Sequence, residues 1–176
     1  MTIHPTDPFA TPEDARTPLR RARGRLPATV TLWTAYGPDG RPAGLTVSST
    51  LVADGDPGAV FGLLDDESDL YAALLASGRF VVTALADGDG QLADRFAGLL
   101  PAPGGLFSGG DWEQTGYGPV PARRHPWVAC VLESSRQAGY AMLVAGSVQR
   151  VELGTQDVPP LVHYRGRYVR LPGGQG

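Results

Sequence analysis

Lysine is absent from this chain of 176 residues, so all 15 of its basic residues are arginines. Without lysine there is no Schiff base, no phosphate loop ending in Gly-Lys-Ser/Thr and no kinase-type ATP contact. Asparagine is missing as well, and isoleucine occurs once, at Ile3. Codons for these three residues are A/T-rich, so base composition explains the shared depletion and only the chemical exclusions carry meaning. A single cysteine, Cys130, has no internal disulfide partner and no Cys or His at metal spacing. Its setting, Trp127-Val-Ala-Cys-Val-Leu132, reads as a buried strand in which a thiol is inert packing.

Other absences narrow the chemistry further. The histidines His4, His125 and His163 form no His-x-x-His or His-Glu-x-x-His pattern, which argues against a zinc enzyme. Gly-x-Ser-x-Gly does not occur, so a hydrolase elbow is not indicated. The glycine pairs at 104–105, 109–110 and 173–174 are not followed by a helix and cannot cradle a pyrophosphate in the βαβ manner. No apolar run approaches the roughly 20 residues that cross a bilayer. The start, Met1-Thr-Ile-His-Pro, lacks a basic stretch followed by an apolar core, and a cytoplasmic protein without a membrane partner is expected. A net charge of −3 argues against nucleic acid as the main partner. The arginines at 16, 20, 21, 23 and 25 lie in an acid-free stretch that reads as a solvated helix face or the neighbour of a bound phosphate.

What is present suits one domain with a sizeable core. Residues 1–19 are expected to form an arm and the start of a helix that runs from Thr11 toward Arg23 and stops at Gly24. Ala28 to Tyr36 is β-branched and aromatic, and Pro38-Asp-Gly-Arg-Pro42 turns it into a second strand, Ala43 to Ala53. Gly58 to Leu64 is a continuous apolar strand. Ser68 caps a helix that Gly78 ends; Arg79 to Leu85 is a strand, and Gln91 to Leu99 a helix. Pro101 to Gly118 is too rich in Gly and Pro for either state, and loops of that length are often functional. Trp112 is expected to anchor it. Three more strands follow, over Pro126–Glu133, Tyr140–Glu152 and Tyr164–Leu171. Many strands with short helices and no βαβ repeat predict a mainly β chain, an antiparallel barrel or sandwich.

One segment departs from this ordinary pattern. Gly44-Leu-Thr-Val-Ser-Ser-Thr50 crowds hydroxyls onto a strand end, where side-chain O–H and backbone N–H groups together suit a phosphate or a polar ring edge. Taken alone it is equally a half-buried strand with solvent-facing hydroxyls. Its companions decide the matter: Phe61, Ala76-Ser-Gly-Arg-Phe-Val-Val-Thr-Ala-Leu85, Leu92-Ala-Asp-Arg-Phe-Ala97, Phe107 to Trp112, Gly118-Pro-Val-Pro121 and Pro160-Leu-Val-His-Tyr-Arg-Gly-Arg-Tyr168 follow in order. This collinear series resembles the flavin reductase-like family, whose members have the FMN-binding split-barrel fold, an antiparallel β-barrel of Greek-key type.

The resemblance covers roughly 20–171, leaving 172–176 as a tail, and it implies a specific chemistry. FMN, with FAD as the alternative, would bind between subunits of a homodimer and take hydride from NADH or NADPH. Reduced flavin or electrons would then pass to a monooxygenase or other acceptor. By analogy Thr46, Val47, Ser48, Ser49 and Thr50 line the flavin. Ser68 matches a second contact, whose loop here reads Asp65-Asp-Glu-Ser-Asp and lacks the family's basic residue. Arg95, Arg165 or Arg167 would replace it. His163 and Tyr168 lie on the terminal strand that runs near the flavin in relatives. Where the family has Gly-Asp-His, this chain has Gly139-Tyr-Ala141, with Tyr140 either stacking on a ring or packing in the barrel. That departure leaves two rivals to a reductase, a flavin-binding electron carrier and a split barrel that has lost flavin and serves as an interaction module.

Overall fold

The computed structural model describes residues 17–122, 125–154 and 158–171. The arm, the helix start at Thr11 and the tail 172–176 lie outside them. Within them, α1 (Pro18–Gly24) begins at Thr17, whose hydroxyl accepts the Arg20 N–H, with Pro in the first turn where its missing N–H costs nothing.

The expected hairpin forms from β2 (Thr31–Tyr36) and β3 (Pro42–Val47), preceded by the short β1 (Ala28–Thr29). Gly40 turns the chain with φ +76°, a value that favours glycine. The predicted strand Ala43–Ala53 is broken: β3 stops at Val47, residues 48–50 leave the ladder, and β4 (Leu51–Ala53) pairs instead with β5 (Ala59–Leu64). After α2 (Asp69–Ser77) come β6 (Arg79–Ala84), α3 (Gly90–Phe96), β7 (Trp112–Gln114), β8 (Pro119–Pro121), the long hairpin β9 (Trp127–Ala138) and β10 (Ala141–Glu152), then β11 (Val162–Tyr164) and β12 (Arg167–Val169). Ser68 caps α2 by accepting the Tyr71 N–H, and Gly78, left-handed at φ +66°, ends it.

Seven strands form one antiparallel sheet in the order β3-β2-β6-β9-β10-β5-β4. Its edge strands, β3 and β4, are consecutive in the chain and joined by residues 48–50 alone. A sheet whose edges are tied by three residues must curl on itself, so the seam of the barrel lies at Ser48–Thr50. The mainly β antiparallel barrel expected from the sequence is thereby met.

Stacked aromatic plates fill the barrel. Trp33 and Phe80 lie 4.9 Å apart and nearly parallel, at 8°. Room for them comes from glycines on the opposite wall. A Cβ on Gly62 would sit 2.6 Å from the Trp33 ring, and one on Gly146 would sit 2.5 Å from that of Phe80. Leu70, Ala73 and Leu74 of α2 close this core, while Leu32 on the other face of β2 joins Val30, Leu85, Phe96 and Leu161 in a second one. A central strand buried on both faces explains why Thr31 to Ala35 are all buried.

Three further predictions need adjustment. Inside the Gly/Pro-rich loop, β7 pairs with β8, and Trp112 anchors the segment edge-on against Phe96 and Phe107 as expected. The predicted strand Tyr164–Leu171 is the second half of a hairpin, β11–β12, turned by Arg165 and Gly166 at φ +52° and +81°. Helix α3 ends at Phe96 rather than Leu99, because Gly98 takes φ +75°. Among the described residues no helix is long and apolar enough to cross a membrane.

The glycine wall is testable. Gly62→Ala is expected to lower stability by about 1–3 kcal/mol through overpacking against Trp33, read as a lower urea midpoint with unchanged m-value.

Candidate functional site

At the seam, four hydroxyls fall within five residues, Thr46 to Thr50. Thr46 donates to the Ala93 carbonyl at 2.7 Å and so ties β3 to α3. Ser49 accepts the Leu63 N–H at 2.9 Å and donates to the Leu63 carbonyl at 3.2 Å, replacing a rung of the β4–β5 ladder with its side chain. Thr50 meets Thr31 Oγ1 at 2.7 Å and accepts from Trp33 Nε1 at 3.0 Å. Val47 contributes no polar side chain; it is buried in the barrel core, and its carbonyl accepts from Thr31 Oγ1 at 2.7 Å.

Ser48 stands apart. It is exposed, and among the described residues its hydroxyl makes no hydrogen bond. Among the described residues, outside the strand ladders, the amides of Ser48, Ser49 and Thr50 make no backbone hydrogen bond. Anchors on both sides therefore leave one exposed hydroxyl beside a short run of amides that have no backbone partner among the described residues. Such a row of donors suits the carbonyls and nitrogens of a flat heterocycle or a phosphate.

A second group gathers on α3 beside the seam. His163 on β11 and Tyr168 on β12 are cross-strand partners with rings edge to face at 6.1 Å. Tyr168 donates to Asp94 Oδ1 at 2.7 Å, and its ring packs on Gly90. Burial, then that hydrogen bond and the Asp94 charge, raise the phenol well above its ordinary value, so Tyr168 stays neutral. Burial lowers His163, the Arg23 charge lowers it further, and Asp94 offsets part of both. Arg95 Nη1 donates to the Ser108 carbonyl at 3.2 Å and holds the long loop; among the described residues its other guanidinium N–H groups make no hydrogen bond.

The remaining predicted positions are less committed to this place. Ser68 spends its hydroxyl on α2, donating to the Asp65 carbonyl at 2.7 Å and accepting the Tyr71 N–H at 3.2 Å. Arg165 and Arg167 are exposed on the β11–β12 turn, where Arg165 lies 5.9 Å from the Tyr164 ring. Tyr140 neither packs in the barrel nor lies under cover: it is fully exposed at the tip of the β9–β10 hairpin. Cys130 is buried and desolvation pushes its thiol up to about 12, as inert packing requires. Among the described residues no three His, Cys, Asp or Glu side chains gather to hold a metal ion.

With fold and geometry in place, likeness to known proteins can be weighed. The pattern of the flavin reductase like domain matches residues 23–172. The chain belongs to the flavin reductase-like family. A flavin reductase (NADH) of Kitasatospora aureofaciens is 32% identical over 152 residues, covering 85% of this chain and 78% of its own. A Pseudomonas putida flavin reductase is 31% identical over 151 residues, with 85% and 86% covered. Among solved structures, a homologue of nitrilotriacetate monooxygenase component B from Mycobacterium thermoresistibile superimposes with a TM-score of 0.79 at 28% identity. That match covers 88% of this chain and 85% of the other.

In this member of the family, Thr46 and Arg95 are joined through α3, Tyr168 meets Asp94 on the same helix with His163 against its ring, and Ser48 to Thr50 lie at the seam. Residues that shape the site but were not singled out are Thr31, Trp33, Leu63 and Asp94. Only Thr31 and Trp33 had a readable signal, an i, i+2 spacing that puts both on one face of a strand.

The depressed His163 has a measurable consequence. An unfolded chain carries His163 at its ordinary value of 6.5, while the folded chain resists its protonation. Between the two values the unfolded state binds more protons, so this contribution is fully present above pH 6.5 and declines as pH falls toward the folded value. His163→Gln is expected to flatten that part of the urea-midpoint profile; identical slopes in both proteins would contradict the assignment.

Proposed function

We propose that the chain acts in the cytoplasm as a flavin reductase, using NADH or NADPH to reduce FMN, with FAD as the alternative, and delivering reduced flavin or electrons to a monooxygenase or other acceptor. The observation that carries this reading is the seam, where among the described residues Ser48 and the amides of 48–50 are unspent while the flanking hydroxyls are locked to protein. Such donors suit the carbonyls and nitrogens at the polar edge of a flavin ring.

Within residues 20–171, Ser48, Ser49 and Thr50 would hold the flavin through backbone N–H groups, Ser48 adding its hydroxyl. Thr46 and Val47 fix the strand behind them. Arg95, whose guanidinium spends one N–H on the Ser108 carbonyl, would neutralise a phosphate that the acids at 65–67 repel, and Ser68 would serve through the helix end it caps. Tyr168, neutral and held by Asp94, and His163, disfavoured as a cation, would offer an uncharged wall. When bound, the flavin supplies the hydride and electron chemistry. No side-chain nucleophile or general base is then needed.

A homodimer is part of the proposal. The edge strand β4 leaves Leu51 and Val52 exposed at 69% and 67%, an apolar edge of the kind that pairing would cover. Light scattering on the purified protein is expected to give twice the chain mass. A monomer that still binds flavin would contradict this part.

A second reading is favoured by one observation. Gly139-Tyr-Ala141 replaces the Gly-Asp-His of relatives, and Tyr140 stands in solvent. A flavin-binding electron carrier without nicotinamide oxidation fits that loss. Anaerobic mixing with NADH and with NADPH, with and without FMN, separates the two. A reductase shows nicotinamide absorbance decaying at a rate that scales with FMN, a carrier binds FMN without that decay, and failure to bind flavin excludes both. Ser48→Ala is expected to weaken flavin binding about three- to tenfold, the worth of one hydrogen bond.

A further inference from the structure

The hydrogen-bond arithmetic around Thr31, Trp33 and Thr50 has a single solution. A threonine hydroxyl has one proton to donate and two lone pairs to receive. Thr31 gives its proton to the Val47 carbonyl at 2.7 Å. The 2.7 Å contact between Thr31 and Thr50 must therefore be donated by Thr50. Trp33 Nε1–H, a donor only, is shared by Thr31 Oγ1 at 3.1 Å and Thr50 Oγ1 at 3.0 Å. Thr31 is saturated, and Thr50 has no proton left for a ligand.

Trp33 is also the plate that fills the barrel. It is wholly buried, stacked on Phe80 and pressed against Gly62 of β5. One residue thus fixes its position by packing and projects a single N–H at the seam. We propose that Trp33 is a positioning residue for flavin: through Thr31 and Thr50 its indole N–H sets the shape of the Ser48–Thr50 turn, and Thr50 acts through this network rather than as a hydroxyl donor to the ligand. The proposal rests on flavin docking at that turn.

Four variants test it, each checked for folding by its urea midpoint: Trp33→Phe, Thr50→Val, Thr50→Ser and Ser48→Ala. Trp33→Phe removes the N–H, and Thr50→Val removes the hydroxyl while keeping its shape. Both are expected to raise the flavin Kd and KM about three- to tenfold, with kcat within about twofold. Thr50→Ser, which keeps the hydroxyl, is expected to behave as the wild type. Combining Trp33→Phe with Thr50→Val is expected to cost no more than the worse single change, because both break one linkage.

Fully additive losses, or a Thr50→Val defect with Trp33→Phe unaffected, would make Thr50 a direct ligand contact and overturn the proposal. So would unchanged flavin affinity in both. Should Trp33→Phe fail to fold, Thr31→Val, which removes the buried partner of Thr50, takes its place: a flavin-affinity loss like that of Thr50→Val supports the role, and unchanged affinity refutes it. Ser48→Ala separates the levels. If it weakens flavin while Trp33→Phe and Thr50→Val do not, only the positioning role fails. If no seam variant changes flavin binding, or the wild type binds none, the docking site itself is wrong and the positioning role falls with it.

Discussion

Three residues, Ser48 to Thr50, carry the chain from one edge of the seven-stranded sheet to the other, and the barrel's geometry follows from the shortness of that span. A short tie between edge strands sets the curvature that the other strands share. It also leaves three residues outside any ladder, and their polar groups have to be satisfied individually. Side chains there serve the neighbouring strands: Ser49 bonds both backbone groups of Leu63, and Thr31 takes the Val47 carbonyl. Among the described residues the amides of 48–50 have no backbone partner and the Ser48 hydroxyl is exposed, so closure of the fold and these unspent donors have one origin.

A candidate surface built this way is held by hydrogen bonds to three separate elements. Thr46 is anchored to α3, Thr50 to the barrel interior and Ser49 to β5. Preorganised donors avoid much of the ordering cost that a loose loop pays on binding. The same helix α3 carries Asp94, which holds Tyr168 neutral, and Arg95, which steadies the long loop through Ser108. One seven-residue helix therefore coordinates three separate walls of the candidate site.

Much of this was readable beforehand, and the reasons are local. Ser68 and Gly78 bracket α2 because a cap and a left-handed stop are sequence-specific devices. The collinear motifs revealed the family, which no single motif would have done. Other features are set by tertiary contacts that a single strand pattern does not report. The break at Ser48 is invisible in Ala43–Ala53 because those residues suit a strand throughout, and what interrupts them is pairing with two different neighbours. The β11–β12 turn was hidden because Arg165, not Asn or Gly, takes the left-handed position. At the seam, four hydroxyls look alike in sequence; only the partners of Thr46, Ser49 and Thr50 single out Ser48 as unspent.

The opposition of Trp33 and Gly62 bears on how such a chain can change over time. With 2.6 Å between the ring and any Cβ at 62, neither position can drift by itself: a side chain at 62 demands a smaller ring at 33, and a smaller ring at 33 leaves a void unless 62 grows. A lineage making that exchange would keep its barrel filled yet surrender the indole N–H. It would then need another donor for the seam, so the interior of the barrel and the character of its ligand surface are inherited as one choice.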